Sequence, residues 1–104
     1  MEKDTDITRN IRIIEFLKSE ILTSLASLFH NLLKGSKANR EALLDILANI
    51  IMATYVLSKR LGFEHRVIDS KIMDKIKISK LEEHEIEKWY GDLSGLSDYL
   101  KKRT

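Results

Sequence analysis

Apolar residues recur every three or four positions along the first third of the chain. The positions are Ile7, Ile11, Ile14, Leu17, Ile21, Leu25, Leu28 and Leu32. This spacing places their side chains along one side of an α-helix, so it predicts one long amphipathic helix from about Asp6 to Lys34. Gly35 follows at a position where a glycine commonly ends a helix.

The composition favours an all-α fold in a single domain. The chain has no proline and only four glycines, so it has few of the residues that turn-rich β folds need. With 104 residues and 43% hydrophobic content, it is long enough for one core and too short for two independent domains. We therefore expect one domain over residues 1–104, with a core at about 7–80 and a C-terminal helical extension at about 81–104. The lack of cysteine excludes disulfides and thiolate-ligated metals.

A second helix is predicted from about Arg40 to Leu61. Ser36 and Asn39 precede it as candidate capping residues, and Gly62 follows it. Because the connection to the first helix is short, the two helices should pair antiparallel. The second helix is apolar on nearly every side, which indicates a buried core helix.

The same stretch does not predict a membrane span. Its apolar run, Ala42 to Leu57, is shorter than the roughly 20 residues that a span needs, and Asp45 and Asn49 interrupt it. The N-terminal sequence "MEKDTDITRN" is charged and has no apolar segment of the kind found in signal peptides. We therefore expect a cytoplasmic protein with no membrane partner.

The rest of the chain predicts shorter helices. A third helix should run from about Glu64 to Ser79, and a fourth segment from about Glu82 to Tyr90. Gly91 should break the chain, and Asp92 is the candidate N-cap of a last helical segment. Three leucines support that segment, namely Leu93, Leu96 and Leu100.

Polar side chains form one row on each of the two long helices. The row on the first helix is Glu20, Ser24, Ser27 and Asn31, and the row on the second is Glu41, Asp45 and Asn49. Antiparallel pairing could bring the rows together in a polar groove, which is where helix bundles place metal or ligand sites. The alternative is purely structural, since polar seams also arise where an Asn and an Asp satisfy each other.

The order of these features resembles the MazG-like proteins of the all-α nucleoside triphosphate pyrophosphohydrolase superfamily. The resemblance covers about Ile11 to Lys80, and its strongest parts read "LLKG" and "EALLDILANIIMATYVLSKRLGF". The C-terminal stretch "EEHEIEKWYGDLSGLSDYLKKR" is similar to the ending of a short bacterial branch of these proteins. The resemblance implies a bundle of two long antiparallel helices and shorter C-terminal helices, completed by oligomerisation.

The resemblance also implies a metal site that this chain lacks in large part. Active members carry Glu-x-x-Glu on the first helix and Glu-x-x-Asp on the second, and these four carboxylates hold magnesium, which prefers hard oxygen ligands. The matching positions here are Ser24, Ser27, Ala42 and Asp45, so only Asp45 keeps a carboxylate. Glu41 and Glu20 lie near the lost positions, where they could serve as replacement ligands.

Three functions stay open at this point. The first is a degenerate family member that has lost metal-dependent hydrolysis and acts as a nucleotide-binding or interaction protein, with no cofactor. The second is an active Mg²⁺-dependent pyrophosphohydrolase with ligands redistributed over Asp45, Glu41 and Glu20. The third is a purely structural module of an oligomer. The net charge of +2 is too small to predict nucleic-acid binding.

Basic and aromatic residues supply the remaining candidates. Lys71 and Lys75 lie one helical turn apart, near where family members place basic residues that meet phosphates, so they are candidate phosphate ligands; a solvated lysine face is the alternative. The three histidines, His30, His65 and His84, have no partner at metal-ligand spacing. Trp89 and Tyr90 could stack on a base or anchor the last segment on the core.

Apolar surface beyond the main stripe predicts association. Four large side chains of the first helix and its end lie off the stripe, namely Phe16, Leu22, Phe29 and Leu33. A chain of this length cannot cover all of that surface itself, and MazG-like relatives are similar in forming oligomers of helices. We therefore expect a homo-oligomer, a dimer at least.

Overall fold

The computed structural model describes the backbone of residues 2–82, 88 and 91–103, and the side chains of those residues from position 6 onward. The described elements are α1 (Glu2–Leu32), a 3-10 helix (Gly35–Lys37), α2 (Arg40–Arg60), α3 (His65–Leu81) and α4 (Asp92–Arg103). No strand occurs within these ranges. The predicted all-α fold is confirmed. Most of the predicted segment from Glu82 to Tyr90 lies outside the described residues.

The chain divides into two compact units, Met1–Phe63 and Glu64–Thr104. That both belong to a single domain stays a prediction. The first unit consists of α1 and α2, which run antiparallel as predicted. Two hydrogen bonds show the direction: the Ser24 hydroxyl accepts from the Asn49 side chain, and the Asn10 side chain donates to the Arg60 carbonyl. Along the contact, residue numbers therefore fall on α1 as they rise on α2, which is the antiparallel arrangement.

The ends of the two long helices follow the predicted signals. The chain leaves α1 through a turn, and Gly35 adopts a φ of 56°, a left-handed conformation that favours glycine. The Asn39 side chain caps α2 by accepting from the Ala42 backbone N–H at 3.2 Å. Ser36 lies in the 3-10 helix instead. After α2, Gly62 has a φ of 99°, and the Phe63 N–H donates to the Ser58 carbonyl, which closes the helix end.

The side of α1 that packs on α2 is not centred on the predicted apolar stripe. Ile14, Leu17, Ile21 and Leu28 are buried or half-buried, but the other four residues of the stripe are exposed, namely Ile7, Ile11, Leu25 and Leu32. The buried and half-buried positions also include the whole polar row of α1. At 100° per residue, the contact side is rotated by roughly 70° from the centre of the stripe. The apolar stripe is therefore only partly buried in the single chain.

The prediction that α2 is a buried core helix is wrong for the single chain. Within α2, only Ala53 and Ser58 are buried. Leu44, Leu47 and Ile51 recur at steps of three and four on the side opposite Ala53, and all three are exposed. Among the described helices, α2 is long and apolar enough to cross a membrane by length and composition, a criterion that core helices also meet.

The second unit contains α3 and α4. Ile76 of α3 and Leu100 of α4 are its buried apolar side chains among the described residues. Arg103 near the end of α4 donates to the Asp69 carboxylate of α3 at 2.9 Å and lies over the Tyr99 ring. The α4 helix begins one residue earlier than predicted, because the Gly91 carbonyl accepts its first helical hydrogen bond from the Gly95 N–H. Asp92 therefore lies in the first turn of α4 and is not its N-cap.

Candidate functional site

One residue of each predicted polar row meets its counterpart between α1 and α2. The Asn49 side-chain amide donates to the Ser24 hydroxyl oxygen at 2.6 Å. Ser24 is only 8% exposed, and Asn49 is half-buried. Two neutral polar groups therefore satisfy each other between the helices, as buried polar groups must.

The other polar residues of α1 lie along the same contact side. Ser27 and Asn31 are half-buried, and the Asn31 side chain donates to the Ser27 backbone carbonyl at 3.0 Å. That bond ties the Asn31 amide to its own helix. Glu20 is half-buried one turn before Ser24. The structure thus places all four predicted polar residues of α1 beside the contact between α1 and α2, here called the seam. One of the four, Glu20, is a carboxylate.

The acidic residues of α2 lie elsewhere. Asp45 and Glu41 are both exposed, and Ala42 is half-buried. Asn49, four residues beyond Asp45, is the member of the α2 row that bonds to α1. The Asp45 side chain is therefore in contact with solvent in the single chain, and its role stays a prediction. Asn49 donates to Ser24 across the helix pair, so the structural alternative takes the form of an Asn–Ser pair and not of an Asn–Asp pair.

The donor atoms at the seam are a poor set for a hard divalent cation. Mg²⁺ prefers several anionic oxygens in octahedral geometry. Within the described part of the chain, no three His, Cys, Asp or Glu side chains lie close enough together to hold a metal ion. Ser24 already accepts a hydrogen bond from Asn49, and this bond would have to break before Ser24 could bind a metal ion.

Comparison with family models gives one match. The model of the MazG-like family matches residues 7–93, which is most of the chain. The chain belongs to the MazG-like family. No curated protein and no solved structure matches the chain significantly. The family match extends through α1, α2 and α3 to the start of α4, so it includes the whole polar seam.

Membership in the MazG-like family raises the question whether this chain can hold magnesium. The positions that the family resemblance assigns to the four carboxylates carry two hydroxyls, a methyl group and the exposed Asp45. One hydroxyl, that of Ser24, is engaged by an amide. The residues present in one chain therefore do not fit a magnesium ion at this seam.

The candidate phosphate ligands Lys71 and Lys75 are exposed on α3, in the second unit. His30 and His65 are also exposed, whereas His84, Trp89 and Tyr90 lie outside the residues whose side chains are described. The roles suggested for these residues stay predictions.

An exposed face of α1 combines apolar residues of the predicted stripe with apolar residues that lie off it. Ile7, Ile11, Leu22, Leu25 and Phe29 are exposed and lie on one side of the helix, here called the outer face of α1. The Glu15–Lys18 ion pair, at 3.0 Å, lies between its two ends. Three of these five residues belong to the predicted stripe, and a period of three to four residues cannot reveal which neighbour a stripe contacts.

Proposed function

We propose that this MazG-like protein has lost the metal site for nucleotide hydrolysis and acts as an interaction protein that assembles with itself. The observation that carries the proposal is the 2.6 Å hydrogen bond from Asn49 to Ser24. It joins the two helices through neutral groups at a position where an active relative would place a metal-binding carboxylate. A neutral seam supplies neither the charge that anchors a cation nor a means to activate water.

The seam also favours an interaction role over nucleotide binding. Its members are hydroxyls, amides and carboxylates, and none carries a positive charge. A nucleoside triphosphate is strongly anionic, so it needs metal or basic side chains to balance its charge. Because these residues supply neither a metal site nor a basic side chain, the seam is better suited to hold α1 and α2 together than to hold a triphosphate.

The outer face of α1 supports self-assembly. Leu22 is 67% exposed and Phe29 is 58% exposed, and Leu33 beyond the helix end is more exposed still. Covering a large apolar side chain stabilises an assembly by about 1.5–3 kcal/mol. A second copy of this chain offers the same face, and isologous pairing of one face with itself is the commonest way to form a homodimer.

The loss of the metal site can be tested through thermal stability. A metal that binds the folded protein raises its Tm. We expect no rise when Mg²⁺ is added at constant ionic strength, and we expect Asp45→Asn to shift the Tm by no more than Asp6→Asn, a matched change at another exposed carboxylate. A magnesium-dependent rise that Asp45→Asn removes and Asp6→Asn keeps would overturn this part of the proposal.

The assembly can be tested by light scattering coupled to size exclusion. We expect a dimer or larger species at micromolar concentration, and we expect Leu22→Lys with Phe29→Lys to give a monomer. The matched control is Thr23→Lys with His30→Lys, which has the same spacing and added charge on exposed positions roughly 100° around the helix. The control should keep the wild-type mass. A monomeric wild type, or equal loss of mass in both variants, would contradict self-assembly through the outer face.

A further inference from the structure

A cavity of about 370 Å³ lies between α3 and α4 in the second unit. One stripe of each helix forms it. The lining residues of α3 lie on one face of that helix, and the two lining residues of α4 lie one turn apart. The lining residues are Met73, Asp74, Ile76, Lys77, Lys80, Ser97 and Lys101. The volume is within the range of small-molecule sites in proteins.

The charged groups around this cavity favour an anion. Lys77 and Lys80 contribute two positive charges and Asp74 one negative charge, which leaves a formal excess of one positive charge. Lys77 and Lys80 have no ion-pair partner among the described residues. Ammonium groups gathered at one opening attract phosphate, because charge-assisted hydrogen bonds to phosphate oxygens are among the stronger polar contacts.

The rest of the cavity lining is apolar. Ile76 is only 5% exposed, and Met73 beside it is half-buried. Ser97 of α4 is also buried, and its hydroxyl lies on the opposite helix. A ligand that fits this arrangement has an apolar body for Ile76 and Met73 and an anionic end for the lysines.

We propose that the cavity binds a small phosphate monoester with an aromatic or aliphatic body. The phosphate lies between Lys77 and Lys80, and the apolar body lies on Ile76 and Met73. Asp74 limits the charge of the ligand, since its carboxylate repels an anionic group at that side. Neither the metal-site residues nor the outer face of α1 takes part, so this site is independent of the proposed assembly.

The test uses the full chain, ¹⁵N-labelled, titrated with phenyl phosphate at constant ionic strength and followed by amide chemical shifts. We expect saturable shifts confined to residues near 73–80 and 97–101. Lys77→Gln with Lys80→Gln should weaken binding about tenfold or more. The matched control is Lys34→Gln with Lys37→Gln, which removes the same charge at the same spacing from exposed positions that do not line the cavity. It should change the affinity less than about twofold.

Two further probes separate the contributions of charge and apolar contact. Inorganic phosphate should shift the same amides with weaker affinity, and phenol should shift none of them. Equal affinity for inorganic phosphate and phenyl phosphate would overturn the role given to Ile76 and Met73. Absence of saturable shifts in the folded wild type, or equal weakening in both lysine variants, would overturn the site itself.

Discussion

The side-chain amide of Asn49 donates a hydrogen bond of 2.6 Å to the hydroxyl of Ser24 and so joins α2 to α1. Ser24 is buried at this position, and Asn49 is half-buried. Each group satisfies the other, so neither needs an ion or a water to compensate its burial. A position that the family resemblance assigns to a carboxylate has thereby become part of the contact between two helices.

Removing the amide should therefore destabilise the protein. Asn49→Ala leaves the buried Ser24 hydroxyl without its partner, which costs about 1–3 kcal/mol. Asn10→Ala is the matched control, because Asn10 also links α1 to α2 but its bond to the Arg60 carbonyl is exposed. Urea unfolding at one fixed protein concentration measures both changes. If the two variants lower the free energy of unfolding equally, the Ser24–Asn49 bond stabilises the protein no more than the exposed Asn10–Arg60 bond does.

The ion pair between Arg103 and Asp69 should stabilise the second unit. Its nitrogen–oxygen distance is 2.9 Å, and the Asp69 side chain is only 16% exposed, so solvent screens the pair less than a fully exposed one. We expect Arg103→Gln to lower the free energy of unfolding by about 1 kcal/mol. Arg66→Gln removes an arginine from a more exposed pair with Glu64, at 3.5 Å, and should have almost no effect. A larger loss in Arg66→Gln, measured by urea unfolding, would contradict this assignment.

Restoring the carboxylates tests the alignment with the metal-binding motifs. Ser24→Glu, Ser27→Glu and Ala42→Glu, combined in one variant, would give four carboxylates together with Asp45. We expect this variant to gain a Tm that rises with added Mg²⁺. The matched control carries Gln at the same three positions, which keeps the size and removes the charge, and its Tm should not respond. A folded Glu variant that shows no response to Mg²⁺ would mean that the motif positions are assigned wrongly.

Much of the helical framework could be predicted from particular residues. Gly35 and Gly62 adopt left-handed conformations that favour glycine, and Asn39 caps α2, so local chemistry determined where the long helices end. Antiparallel pairing predicted that the polar rows could meet. One residue of each row does so, because Asn49 donates to Ser24, whereas Glu41 and Asp45 are exposed.

The rotation of α1 could not be predicted from the same residues. Its apolar side chains cover a wide sector of the helix, and periodicity does not show which part faces α2 and which part faces outward. The exposure of Asp45 has the same origin. An apolar helix was expected to be buried, but α2 packs on α1 along one side only, and Asp45 lies outside that contact.

The most direct test of the account is an assay for pyrophosphate release from each common nucleoside triphosphate in the presence of Mg²⁺. The hydrolysis that the family resemblance implies needs a metal to neutralise the phosphates and activate water, and the Ser24–Asn49 seam does not provide its ligands. We predict no release above the background of a protein-free control. Release at about 1 per second or faster, the range of ordinary enzymes, would contradict the loss of the metal site.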